Sequence, residues 1–162
     1  MTRQIFLISD THFHHANIIK YCNRPFKDSF EMDETLIERW NSVVKPTDKI
    51  YHLGDVYYPK YKNESDILFK RLNGTKVLIL GNHDTGKDQL LLKYFSRIYS
   101  WRFLKEFGLL LTHVPIHESS LSSKLKWNIH GHTHDKGSPE GPYKSVCVEI
   151  TNYTPVPIEE VV

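Results

Sequence analysis

The sequence predicts an α/β fold built on a parallel or mixed sheet, and three observations carry that reading. Short aliphatic runs recur, and each stops at a polar residue or a glycine. Segments with helical spacing separate the first three of them. The resulting order of strand, helix, strand, helix, strand calls for right-handed crossovers. With 162 residues, 40% of them hydrophobic and 25% charged, the chain has the size and balance of a single domain over 1–162 that can bury its own core.

The first run, Ile5 to Ile8, reads as a buried strand. Between it and the second, Lys49 to Leu53, lies "DSFEMDETLIERWNSVV", where Leu36, Ile37, Trp40 and Val43 share one helical face. Asp28 with Glu31 has the form of a capping box, and Lys45 before Pro46 gives the stop. Glu64 to Leu72 offers Ile67, Leu68 and Leu72 as an apolar helical face ending at Asn73-Gly74. The third run is Lys76 to Leu80, and a short helix is expected over Lys87 to Tyr94. Beyond that the chain turns strand-rich. Tyr99, Trp101 and Phe103 alternate, Leu109 to Leu111 and Trp127 to Ile129 are further runs, and Val146, Val148 and Ile150 alternate after "DKGSPEGP".

Composition narrows the function classes. A formal net charge of +2 is too mild to mark a nucleic-acid footprint or a membrane-surface role. Cys22 and Cys147 are the only cysteines, too few for a disulfide framework or a thiolate zinc cluster, so a metal must be held by nitrogen and oxygen. The opening apolar run is too short for a signal peptide, and no stretch approaches the length of a membrane span, so a cytoplasmic protein is expected.

Each apolar run is followed at once by acid or metal-ligand residue types: Asp10 and His12, then Asp55, then Asn82, His83 and Asp84, then His113, then His132 and His134. In open α/β sheets the loops leaving the carboxyl ends of strands gather in one crevice. Two carboxylates, one amide oxygen and four imidazoles are too many for one cation with ordinary coordination and suit two. Asp55, alone on its loop, is the candidate bridge.

The ordered set "DTH", "GD", "GNHD", "H" and "GHTH", from Asp10 to His134, resembles the calcineurin-like metallophosphoesterases. The wider "DTHFHHANIIKYCNRPF" resembles the opening of small bacterial and phage members. The resemblance implies a four-layer α/β/β/α sandwich with two mixed sheets. It also implies one metal on Asp10, His12, Asp55 and His134, and the other on Asp55, Asn82, His113 and His132. His83 would approach the phosphate and leaving group, with Asp84 placed to orient it. Two divalent transition metals are implied, manganese first, with iron, zinc or nickel as alternatives. One position departs from the pattern: where many relatives carry a second aspartate after "GD" and two variable residues, "GDVYY" has Tyr58.

The function implied is hydrolysis of a phosphomonoester or phosphodiester by a water that two cations activate. Alternatives are a non-catalytic metal-binding scaffold of the same fold, or a nuclease, which the aromatics and lysines of "YYPKYKN" would serve. The partner is then a phosphate ester, with a nucleotide or nucleic acid left open and no membrane. Arg24 could pair with a phosphate, and His15, like His14, could touch substrate. The plain alternatives are a solvated arginine and ordinary loop histidines. His52 and His130 read as wall or supporting residues, and "SSLSSK" as a loop at the rim.

Overall fold

The computed structural model describes residues 3–162. A first sheet contains β1 (Ile5–Ile8), β2 (Lys49–His52), β3 (Thr75–Ile79), β4 (Phe95–Tyr99) and β9 (Val156–Pro157) in the order β4-β3-β2-β1-β9. Strands β1 to β4 are parallel, and β9 runs antiparallel to β1. A second sheet contains β5 (Arg102–Leu104), β6 (Leu109–Leu111), β7 (Trp127–His130) and β8 (Tyr143–Ser145), in sequence order. There β5 and β6 are antiparallel, and the other pairs are parallel. The fold is therefore α/β with two mixed sheets.

The pleat sorts side chains into two cores. Phe6, Ile8, Ile50 and Leu78 point to the helical side of the first sheet. They meet α1 (Ala16–Tyr21), α2 (Ser29–Val43), α3 (Lys62–Phe69) and α4 (Gln89–Tyr94) through Ile18, Met32, Leu36, Ile37, Trp40, Phe69 and Leu91. The alternate residues Leu7, Tyr51, Val77 and Ile79 face the second sheet and pack on Leu104, Leu109, Leu111 and Ile129. All four helices lie against the first core. On the outer face of the second sheet run residues 112–126, with a 3₁₀ turn at Glu118–Ser120. Ile116 fastens that loop: its N–H donates to Asn128 Oδ1 at 3.0 Å, and its carbonyl accepts from the Tyr143 hydroxyl at 2.8 Å.

Local chemistry explains where elements begin and where expectation fails. Asp28 caps α2 by accepting the Glu31 N–H at 2.8 Å. The Glu31 carboxylate takes the Lys27 N–H rather than that of Asp28, so the capping box is only half formed. On α3 the core face is Leu68 and Phe69, while Ile67 is 66% exposed. The alternation of Tyr99, Trp101 and Phe103 is not one strand, because the chain leaves the first sheet after Tyr99 and enters the second at Arg102. Val146 and Val148 are buried, but residues 148–153 form turns, and Ile150 is exposed.

Candidate metal centre

Loops from the carboxyl ends of β1, β2, β3, β6 and β7 converge. Asp10 N–H donates to Gly54 O (3.0 Å), His12 N–H to Asp55 O (3.1 Å) and Gly131 N–H to His113 O (2.8 Å), which stitches neighbouring loops together. A Cβ on Gly131 would collide with Ser9 and the Asp10 carboxylate, and one on Gly81 would strike Asp55. Only glycine permits that approach. Asp10, His12, Asp55, His132 and His134 all have left-handed backbone, with φ between 48° and 67°. Such conformations cost about 1 kcal/mol or more each and persist only where surroundings impose them.

The convergent side chains form two groups. Asp10, His12 and His134 make one, and Asp55, His113 and His132 the other. In the first, Asp10 Oδ1 is 3.9 Å from His12 Nε2 and 3.8 Å from His134 Nε2. In the second, Asn82 Oδ1 is 2.9 Å from His113 Nε2 and 3.0 Å from His132 Nδ1. Asp55 Oδ2 lies between the groups, 3.5 Å from His12 Nε2 and 3.4 Å from His113 Nε2. Donor atoms about 2.1 Å from a common cation stand about 3.0 Å apart on an octahedral edge and about 3.4 Å on a tetrahedral one. The spacings around Asn82 and Asp55 match such edges, while those from Asp10 to His12 and His134 are longer.

Hydrogen bonds from the outer ring nitrogens fix how these histidines point. His113 Nδ1–H donates to Leu53 O at 2.7 Å, and His134 Nδ1–H to Glu149 Oε1 at 3.0 Å, which aims both Nε2 lone pairs into the centre. Asp10 Oδ1 and His12 Nε2 are buried with no hydrogen-bond partner, a costly state that a cation would relieve. Burial pushes His12 well below the usual histidine range and keeps its lone pair free. Burial also raises Asp10. Asp55 stays below the carboxylate range: burial opposes this, but the hydrogen bond and charge of His113 prevail. At His134 burial favours the neutral ring, yet Cys22, Glu149 and Asp10 raise it to about 10. The acidic surroundings that favour a proton there favour a cation equally. The residues present thus fit divalent cations held by nitrogen and oxygen.

Two expectations need correction. Arg24 does not face a phosphate: its side chain is fully buried, paired with Glu149 at 2.7 Å, and donates to the carbonyls of Asp10 (2.7 Å) and Thr11 (3.0 Å). Asp84 does not orient His83. Its oxygens accept the N–H groups of Asp55 (2.8 Å), Gly81 (2.8 Å) and Val56 (3.1 Å), so it shapes the loop that carries Asp55. The Tyr58 ring stacks on His15 with centroids 4.9 Å apart, and His15 Nδ1 is 3.4 Å from His12 Nδ1. A stacked histidine thus stands beside His12, and His15 borders the site. His83 lies at the mouth, its side chain 61% exposed and its Nε2 4.0 Å from Asp55 Oδ2.

Sequence reasoning missed Glu149, which joins Arg24 to His134. The single acid in the apolar "SVCVEI" was the available signal. His52 and His130 are supporting residues. His52 Nε2 is 2.9 Å from Thr11 Oγ1, and the ring nitrogens of His130 lie within 3.0 Å of Gly131 O and Ser138 Oγ.

Comparison with known proteins agrees with this geometry. An uncharacterized protein of Methanocaldococcus jannaschii is 42% identical over 99% of this chain and 90% of its own length. The gene 66 protein of Mycobacterium phage L5 is 37% identical over 47% of this chain and 37% of its own. Among solved structures, a protein of unknown function from Aquifex aeolicus superposes with a TM-score of 0.79 at 30% identity, covering 99% of this chain and 98% of that one. The sequence profile described as calcineurin-like phosphoesterase matches residues 3–113, most of the stretch that supplies the convergent loops, and the chain belongs to that family.

Proposed function

We propose that the chain is a metal-dependent phosphoesterase, hydrolysing a phosphomonoester or phosphodiester at a centre of two divalent transition-metal ions, with manganese the first choice. The observation that supports this most is Asp55 Oδ2, 3.5 Å from His12 Nε2 and 3.4 Å from His113 Nε2, between two sets of lone pairs. When bound, the cations offset charge on the phosphoryl oxygens and supply a nucleophile from water near neutral pH.

The protein's own contribution is position and proton transfer. Arg24 fixes the Asp10–Thr11 backbone, Asp84 fixes the Asp55 loop, and Glu149 holds the His134 ring. His83 is free of such duties and faces solvent beside Asp55. Protonated, it gives its Nε2 proton to the departing ester oxygen as general acid. A scaffold has no use for that group, which favours the catalytic reading. The phosphate ester enters over His83 and His15.

The test is hydrolysis of p-nitrophenyl phosphate and its bis ester by manganese-loaded protein. Activity is expected to vanish with EDTA and return with manganese, and Asp55→Asn and His132→Ala are expected to be inactive though folded. Full activity after verified metal removal would overturn the reading.

A further inference from the structure

On the outer face of the second sheet a cavity of about 660 Å³ opens beside the candidate metal centre. Its walls include Leu80, Trp101, Phe103, Leu110, Ile116 and Leu125. Asn82 and His113 also line it, and both are candidate ligands of the second group. Among the described residues no lysine, arginine, aspartate or glutamate does. The pleat explains the apolar floor. Leu109 and Leu111 point into the core between the sheets, so Leu110 between them points outward, and Phe103 does the same opposite it on β5. Residues 112–126 supply the far wall: Ser120, Ser122 and Leu125 come from the "SSLSSK" stretch and its neighbour. Trp101, 62% exposed, stands at the junction between the sheets.

We infer that this cavity receives the organic substituent of the phosphate ester, and that the substituent is uncharged and largely apolar, of aromatic or hydrocarbon character. This rests on the phosphoesterase reading and narrows its substrate class. The volume falls within the range of about 300 to 1,000 Å³ typical of small-molecule sites. A phosphoryl group at Asn82 and His113 has its ester oxygen at the cavity mouth, so the substituent enters without a linker. A second phosphate or a carboxylate would find no cation on these walls and would lose its hydration uncompensated. Polyphosphates and long polyanionic strands therefore fit poorly. An aryl or alkyl group covers half-exposed side chains that water otherwise wets.

The test is calorimetric titration of the manganese-loaded full chain with 1-naphthylphosphonate and with methylphosphonate, neither of which has a hydrolysable ester. The wild type is expected to bind the naphthyl compound about 10- to 100-fold more tightly. Leu110→Asp and Ile116→Ser, each checked for an intact unfolding transition, should both lose most of that preference. Equal affinities, no detectable binding of either compound, or a naphthyl preference that survives both substitutions would overturn the inference. Turnover of the nitrophenyl esters is measured alongside: turnover without a naphthyl preference removes the cavity assignment alone, whereas a naphthyl preference without turnover removes only the catalytic reading.

Discussion

Glu149 holds one of the candidate ligands without belonging to the candidate set. It accepts from His134 Nδ1 and from Arg24, whose other nitrogen atoms grip the Asp10 and Thr11 carbonyls. Glu149→Gln keeps an acceptor but removes the charge that makes His134 a better donor. We expect manganese affinity to fall about 10- to 100-fold, read from free Mn(II) by electron paramagnetic resonance, with an unchanged affinity refuting the coupling. His83 is expected to behave in the opposite way. His83→Ala should slow turnover about a hundredfold or more while the same resonance assay shows both ions still bound. The contrast also explains what was readable beforehand. Asp10, His12, Asp55, Asn82, His113, His132 and His134 follow apolar runs directly, so strand ends announced them. Arg24 and Asp84 resemble phosphate- and histidine-binding groups in the sequence. Their actual work, satisfying backbone carbonyls and N–H groups of neighbouring loops, depends on contacts that no spacing reveals.

At the level of elements, the helices and the loops answer to different constraints. Removing the α2 cap by Asp28→Ala should cost about 1 kcal/mol of stability and leave metal affinity alone, as urea unfolding and manganese titration would show. Gly131→Ala should do the reverse in emphasis. A methyl group aimed at Ser9 and Asp10 forces the "GHTH" loop away, and manganese binding should collapse; retained affinity would mean the loop has slack. Strands β1, β3 and β6 were legible as compact aliphatic runs, and β2 and β7 as short apolar stretches that stop at a glycine. The six-residue α1 was not, having no capping side chain at His15, and the two-residue β9 is too short to show a period. Ile67 misled for another reason: it adjoins Leu68 in the sequence, yet Phe69 takes the inward place.

For the whole molecule, acid should act through buried histidine as well as through the metal ligands. His52 is neutral in the core between Thr11 and the Gly54 N–H, and burial lowers it to about 3. Its folded value lies below the unfolded 6.5, so the stability linked to it is complete above pH 6.5 and drains away as pH falls towards 3. The slope approaches about 1.4 kcal/mol per pH unit within that window. Metal-free protein unfolded in urea from pH 7 to pH 4 should show this loss, and His52→Gln should flatten it. An identical slope in the variant would exclude His52 as its source. No helix in the described residues is long and apolar enough to cross a membrane. The two-sheet frame also bears on how such a centre can change over time. Five of its candidate donors occupy main-chain geometry that asparagine, aspartate and histidine adopt far more readily than other side chains do. Exchange towards thiolate or glutamate donors would meet resistance from the peptide chain before any question of ion preference arose, so the alphabet open to drift at those places is short.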